Sequence, residues 1–328
     1  MAVQPPALTG IDPPPPETRA AVAALAAGLD AAIPAKVVDR NLLIGTWNVQ
    51  ALSRVTKRWT PREDDSPKRN LQDIWCIAEV VSRFDVVALV EIRHTLEALR
   101  LLMELLGPNW SFLVTDTVVG KPGNDERLGF LFDTRRVQLT GMAGELVIPD
   151  EELHGADAIM RRQFARTPYA VSFRAGRDAF TLVSLHVLWG KKAADRTPEL
   201  LRIARWLSEA STDPEDFNRN LIALGDFNID RYDDPNWRAF VVEYGLSPPA
   251  ALFDVPRTLA DTEGDTSYFD QIAWFTTGDR SALTLEYSGR AGGFLWTDHI
   301  LQDVPRRRKE ARISDHYPLW AEFRLTGA

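Results

Sequence analysis

The sequence predicts an α/β fold in which two mixed β-sheets pack face to face with helices outside. Three observations predict it. Strand-length apolar runs alternate with segments of helical period along the chain. The elements fall into two successive sets of strands and helices, and layers of this kind bury their apolar sides against one another. The length of 328 residues with 45% apolar content supplies one large core.

Residues 1 to about 15 read as a flexible Pro-rich tail, and Glu17 to Leu29 as a short helix packed on the body. A first half opens with a strand at 41–49, followed by a helix from Lys68 to Phe84, a strand from Val86 to Val90 and a helix from Leu96 to Leu106. Strands near 111–116, 127–132, 137–140 and 169–174 complete it. The second half runs through a strand from Phe180 to His186, a helix from Thr197 to Ala210, a strand from Asn220 to Leu224 and a helix from Pro235 to Tyr244. Strands at 268–275, 283–287 and 316–324 end the chain. No repeat or low-complexity segment interrupts this order, so residues 41–328 read as one domain behind a Pro/Ala-rich extension at 1–40.

A single cysteine, Cys76, excludes an internal disulfide. The N-terminus has no basic n-region, and the Ala-rich stretch from Ala20 to Ala35 is broken by Asp30 and Pro34. It fits neither a signal peptide nor a bilayer span. A cytoplasmic, monomeric protein without stable membrane association is the expectation. The net charge of −8 argues against a broadly basic nucleic-acid-binding surface. A local basic strip remains open, with Arg306–Lys309 and Arg161, Arg162 and Arg166 as candidates; the plainer reading of Arg306–Lys309 is solvated loop charge.

The most informative segment is Leu221-Ile-Ala-Leu-Gly-Asp-Phe-Asn-Ile-Asp230, an apolar run that presents a carboxylate and a carboxamide two positions apart. Strand alternation puts Asp226 and Asn228 on one face and turns Phe227 back into the packing. By itself this is also the pattern of a strand followed by an Asx turn. Other apolar runs likewise end in or contain a polar residue: Leu42–Asn48, Val86–Glu91, Glu126–Phe132, Phe180–His186 and Tyr268–Trp274, with Ile313–Trp320 closing the set.

In content and order these segments resemble the endonuclease/exonuclease/phosphatase superfamily, whose members include pancreatic-type deoxyribonucleases, abasic-site endonucleases, neutral sphingomyelinases and inositol polyphosphate phosphatases. The resemblance spans about residue 41 to the C-terminus. It is nearest to the deoxyribonuclease branch, through Glu126-Arg127 before a hydrophobic strand, Phe164-Ala-Arg-Thr-Pro168, and Ser314-Asp-His-Tyr-Pro318. It implies a four-layer α/β sandwich.

The chemistry follows from the residues. Hydrolysis of a phosphate ester needs a cation for the phosphoryl oxygens, a positioned water and help for the leaving oxygen. Mg²⁺, with Mn²⁺ as a substitute, asks for oxygen ligands and one or two carboxylates. Glu91, leaving an apolar strand, is the natural first ligand, since an unpaired charge there would be costly to bury. Asn48 offers a carbonyl to the metal or an amide to the phosphate, and the resemblance places a metal-linked carboxylate at Asp315. It also pairs His316 with Asp270 and His186 with Glu126, so that two carboxylate-backed imidazoles are available for proton transfer. Asp226 and Asn228 then orient water and hold a phosphate oxygen, with Asp226 or His316 as the base. His94, His154 and His299 lack such a setting and read as surface or packing residues.

Departures from the family patterns bear on substrate. His186-Val-Leu-Trp-Gly190 stands where abasic-site endonucleases carry a tyrosine and an asparagine, and Gln271 where nucleases often carry Arg or His. Arg166 remains as a phosphate-binding arginine, or as a structural ion pair. Residues 286–312 read as a long loop with exposed Phe294 and Trp296, which either stack on a ligand or pack the loop down. The expected function is a divalent-metal-dependent phosphodiesterase acting as a nuclease on nucleic acid, with a phosphatase or sphingomyelinase-like enzyme as the runner-up. A non-catalytic binding module of this fold would be expected to lose Glu91, Asp226, Asn228 or His316, and all four are present.

Overall fold

The computed structural model describes residues 8, 11–118, 123–155, 158–212, 220–262, 264–277, 280–281 and 283–326. Most of the expected N-terminal tail, residues 1–7, 9 and 10, lies outside the described residues. The first half contains α1 (Pro16–Ala32), β1 (Asn41–Leu52), α2 (Leu71–Val81), β2 (Val86–Arg93), α3 (Glu97–Leu106), β3 (Trp110–Val114), β4 (Glu126–Asp133), β5 (Gln138–Glu145), α4 (Asp150–His154) and β6 (Tyr169–Ala175). The second contains β7 (Asp178–His186), α5 (Thr197–Thr212), β8 (Leu221–Ile229), α6 (Pro235–Trp237), β9 (Leu246–Ser247), β10 (Tyr268–Thr277), β11 (Arg280–Ser281), β12 (Glu286–Gly293), α7 (Arg306–Arg312) and β13 (Leu319–Arg324).

Two sheets form. One has the order β12-β13-β1-β2-β4-β3, and the other β11-β10-β8-β7-β6-β5 with β9 against β10. Each is mixed around one parallel pair, β1 with β2 and β7 with β8. The helical crossovers α2 and α5 join those pairs, as parallel neighbours require. Alternation then sorts the side chains. On β1, Leu42 and Ile44 face the other sheet with Phe130, Phe173, Leu182 and Ile272, whereas Leu43 and Trp47 face α1, α2 and α3. Leu200, Ile203 and Leu207 of α5 cover the far side of the second sheet over Val183, Ala223 and Phe227. The result is helices, sheet, sheet, helices, the expected four-layer sandwich. Val22, Leu25 and Leu29 of α1 lie in the same core as α2, so the N-terminal helix is packed on the body.

Several boundaries differ from the sequence reading, each for a local reason. The helix expected from Lys68 starts at Leu71 because Asn70 caps it, accepting from the Asp73 amide while the Asp73 side chain accepts from the Asn70 amide. The expected Pro235–Tyr244 helix is one turn, Pro235–Trp237, followed by a π-helical turn over Arg238–Val242. The last strand begins at Leu319 rather than 316, because residues 315–317 are bridged to the 257–259 segment: Leu259 N–H donates to Asp315 O and Tyr317 N–H to Arg257 O.

The largest correction concerns residues 286–312. They form β12, a short 3₁₀ turn at Trp296–Asp298 and α7 rather than a long loop. Phe294 and Trp296 are buried, not exposed. The Phe294 ring stacks on His299, and the Trp296 indole N–H donates to the His316 carbonyl at 3.2 Å.

Candidate active site

Three strands run past their expected ends, and Glu91, Asp226 and Asn228 lie on those extensions. β1, β2 and β8 each contain non-glycine residues in the left-handed region there: Gln50 (φ 35°), Ala51 (φ 49°), Glu91 (φ 64°) and Asn228 (φ 52°). Pairing slips at the same places, between Asn48 and Leu52 on β1 and between Leu89 and Ile92 on β2. Such bulges turn a strand end away from the ladder and re-aim its side chains.

Asn48 joins the two sheets. Its amide nitrogen donates to Glu91 Oε1 at 3.1 Å and to Asp226 Oδ2 at 3.2 Å, while its carbonyl oxygen accepts from the Gln50 amide. The Ala51 amide donates to the second Glu91 oxygen at 3.0 Å. Buried Arg69 holds this bulge by donating to the carbonyls of Val49, Gln50 and Ala51, and also to those of Arg312 and Ile313 before the terminal motif.

Register on the second sheet places His186, Asp226 and Asp270 in one row across β7, β8 and β10. Asp226 Oδ2 lies 3.8 Å from His186 Nε2 and 4.0 Å from His316 Nε2. Each imidazole has a carboxylate on its other nitrogen. His316 Nδ1 is 2.5 Å from Asp270 Oδ2; His186 Nδ1 is 3.2 Å from Glu126 Oε2 but out of line for a good hydrogen bond. The Asn228 amide group donates to Val187 O and its backbone N–H to Asp226 Oδ1. The His316 backbone is fixed as well: Ser314 Oγ bridges it to Asn48 O, and its carbonyl accepts from the Trp47 indole at 2.9 Å.

Charge follows from this packing. Burial alone would push His316 down, but the Asp270 charge and hydrogen bond, with Asp226 and Asp315 behind them, hold its pKa well above the usual imidazole value. Burial raises the Asp270 carboxyl to about 6 against the pull of His316. Burial also pushes Glu126 up, yet the contact and charge of His186 and the charges of Arg166 and Arg93 outweigh it and bring the pKa to about 2. Arg166 donates through Nε to Glu126 at 2.6 Å, sharing that carboxylate with Arg93, and its buried Nη1 has no hydrogen-bond partner among the described residues. Asp315 is raised, by burial first and then by Glu91 and Asp226 despite His316; its buried Oδ1 has no hydrogen-bond partner among the described residues and lies 4.0 Å from His316 Nε2.

Glu91 and Asp315 line one groove, each with oxygen donors and mutual repulsion, which is a setting that a hard divalent cation fits. Glu91, Glu126 and His186 form one group with ligand atoms within 4.8 Å of one another, and Asp226, Asp270 and His316 another.

A model of the Endonuclease/Exonuclease/phosphatase family matches residues 45–316. The chain belongs to that family. It is 27% identical over 294 residues to a Deoxyribonuclease of Thioalkalivibrio sp. (strain K90mix), a match covering 86% of this chain and 71% of that protein. Its fold is similar to that of a mannosyl-6-phosphatase of Bacteroides thetaiotaomicron, with TM-score 0.55, 17% identity and coverage of 86% and 99% of the two chains. It is similar too to D. rerio TDP2 complexed with single strand DNA product, with TM-score 0.53, 16% identity and coverage of 86% and 98%. Within this family fold, the ten residues singled out from the sequence form one connected cluster.

The sequence reading missed its supports. Arg257 is fully buried beneath Asp270, donating to the Asp270 carbonyl and stacking on Tyr268 at 4.8 Å; burial lowers its pKa to about 10. Arg196 donates to the carbonyls of Asn228 and Trp189 and lies 4.1 Å over the Trp189 ring. Trp189 itself is 54% exposed and meets Phe269 edge-on at 5.5 Å, with Phe269 beside His316. The exposed indole two residues after the His186-Val pair was the one signal available for this wall. Among the described residues, no helix is long and apolar enough to cross a membrane.

Proposed function

We propose that the chain is a divalent-metal-dependent phosphodiesterase that cleaves nucleic acid. One observation carries this reading: a single carboxylate oxygen, Asp226 Oδ2, faces the Nε2 atoms of two histidines, each backed by a second carboxylate. That arrangement would put proton-handling groups on more than one side of a bound phosphate. Glu91 and Asp315, with Asn48 beside them, would hold Mg²⁺, which would supply neutralisation of the phosphoryl oxygens.

The protein groups then divide the remaining work. Asp226 and Asn228 orient the attacking water and a phosphate oxygen, and Asp226 takes the proton that the water loses. His316, whose pKa Asp270 raises, turns Nε2 toward Asp226 and would give its Nε2 proton to the departing oxygen. His186 is oriented by Glu126, and Arg166 Nη1 is available to a non-bridging oxygen. The exposed Trp189 face suits a nucleobase next to the scissile phosphate. The relative named Deoxyribonuclease and the neighbour complexed with DNA product support nucleic acid as the substrate class.

The test is nicking of supercoiled plasmid in Mg²⁺, Mn²⁺ and EDTA, with Asp226→Asn alongside and circular dichroism on both proteins. Metal-dependent nicking by the wild type, lost in the variant, is the expected outcome. A folded wild type that leaves plasmid and oligonucleotides intact but hydrolyses phosphate monoesters would overturn the nuclease reading in favour of a phosphatase.

A further inference from the structure

We propose that the groove between the β1–α2 segment and α7 holds the phosphodiester backbone of a polynucleotide strand flanking the scissile phosphate. This rests on the nuclease reading of the neighbouring site. The groove has a volume of about 960 Å³ and contains Glu91 and Asp315 in its lining, so it opens directly onto the candidate metal position. One wall carries Arg54 and Lys68, the other Arg307. All three are exposed.

On α7, among the described residues, only Arg307 and Lys309 lack the carboxylate partner that the other cations have, and of these two only Arg307 lines the groove. Arg306 is matched to Glu310, Arg308 to Glu63 and Arg312 to Asp73. Among the described residues Arg307 and Arg54 have no carboxylate partner, and Lys68 reaches only the Glu63 backbone carbonyl. On a chain of net charge −8, three cations without a carboxylate partner converging on one groove mark a local site for negative charge rather than a general solvated face. Apolar lining is limited to Ala51, Pro67 and Ala311. Neither an acyl chain nor a flat ring finds a surface there, whereas separated cations read a repeating anionic backbone.

The walls are also held at a set distance. Arg69 lies beneath the groove and donates to carbonyls on both sides, Val49, Gln50 and Ala51 on one and Arg312 and Ile313 on the other. A strand would therefore meet two walls already at a fixed separation, and the ordering cost is confined to the exposed Arg54, Lys68 and Arg307 side chains.

The experiment uses the double variant Arg54→Ala/Arg307→Ala in the full chain, since neither side chain makes a contact that the fold needs. Binding of a labelled single-stranded DNA oligonucleotide is followed by fluorescence anisotropy in EDTA across a salt series. Cleavage of the same oligonucleotide and hydrolysis of bis(p-nitrophenyl) phosphate are followed in Mg²⁺. The expected result is binding about tenfold weaker, with a log–log salt slope smaller by about 1.4, from roughly 0.7 per lost phosphate contact. Oligonucleotide kcat/KM should fall in parallel while the small diester is hydrolysed at the wild-type rate. Unchanged DNA affinity and slope in a double variant whose wild type cleaves DNA would overturn the groove and leave the nuclease reading standing. A wild type that neither binds nor cleaves DNA but hydrolyses the small ester would overturn both. Loss of binding to phosphoinositide vesicles without loss of DNA binding would reassign the groove to a lipid headgroup and overturn the proposal.

Discussion

His316 Nδ1 lies 2.5 Å from Asp270 Oδ2, in a pocket where both groups are buried. The carboxylate orients the ring so that Nε2 faces Asp226, and its charge keeps the imidazole protonated. Replacing Asp270 with Asn removes the charge that raises His316, so the His316 pKa falls. Where activity needs protonated His316, the alkaline limb of the pH–rate profile therefore moves to lower pH in Asp270→Asn. His316→Ala should lower kcat by about 10² or more at all pH values. Loss within about tenfold for His316→Ala would remove it from proton handling.

Glu126 gives a stability prediction with a defined window. Its pKa is depressed from 4.5 to about 2, so it contributes stability above the unfolded value, and that contribution is lost as pH falls from about 4.5 toward 2. At about 1.4 kcal/mol per unit the contribution approaches ~3 kcal/mol. Glu126→Gln should be less stable than wild type near neutral pH, with the difference narrowing as the solution is acidified through that window. Urea midpoints at a series of pH values measure it; a difference that does not depend on pH would separate Glu126 from this charge network.

Gly225 sits at φ +129°, and a Cβ there would lie 2.1 Å from the Leu185 carbonyl oxygen of the adjacent parallel strand. Backbone cannot yield as a flexible side chain does, so Gly225→Ala should destabilise the fold by more than about 3 kcal/mol or prevent it. Gly176, also left-handed at φ +57° but with nothing nearby, is the control; Gly176→Ala should cost only about 1 kcal/mol. Denaturant midpoints compare the two.

Phe294 tests the packing of the 286–312 segment. The ring is 1% exposed and stacks on His299 with centroids 5.0 Å apart. Phe294→Ala should cost about 3–5 kcal/mol, as for a core aromatic. A change within about 0.5 kcal/mol, usual for an exposed residue, would restore the loop reading.

Most of the candidate site was legible because it stands on strands whose apolar runs are continuous in sequence. Asn48, Glu91, His186 and Asp226 each end or follow such a run, and a polar residue at that position stands out against its neighbours. Asp226 and Asn228 were expected on one face with Phe227 turned away, and Phe227 packs against Phe240 at 4.7 Å in the outer core. Arg69 and Arg257 were not legible. They are buried arginines whose partners are mostly main-chain carbonyls, and a carbonyl leaves no mark in the sequence.

The sequence by itself determined the strand and helix order, the polar residues at the strand ends and the family pattern, because alternation and apolar period are local properties of the chain. Only the tertiary structure decided where those ends point. The left-handed turns at Glu91 and Asn228, the amide of Asn48 spanning two sheets, and the pairing that leaves Arg307 without a carboxylate partner all depend on segments far apart in the chain. Their geometry is set by which backbone and side-chain groups meet after the sheets have packed, and long-range contacts of that kind have no counterpart in local residue spacing.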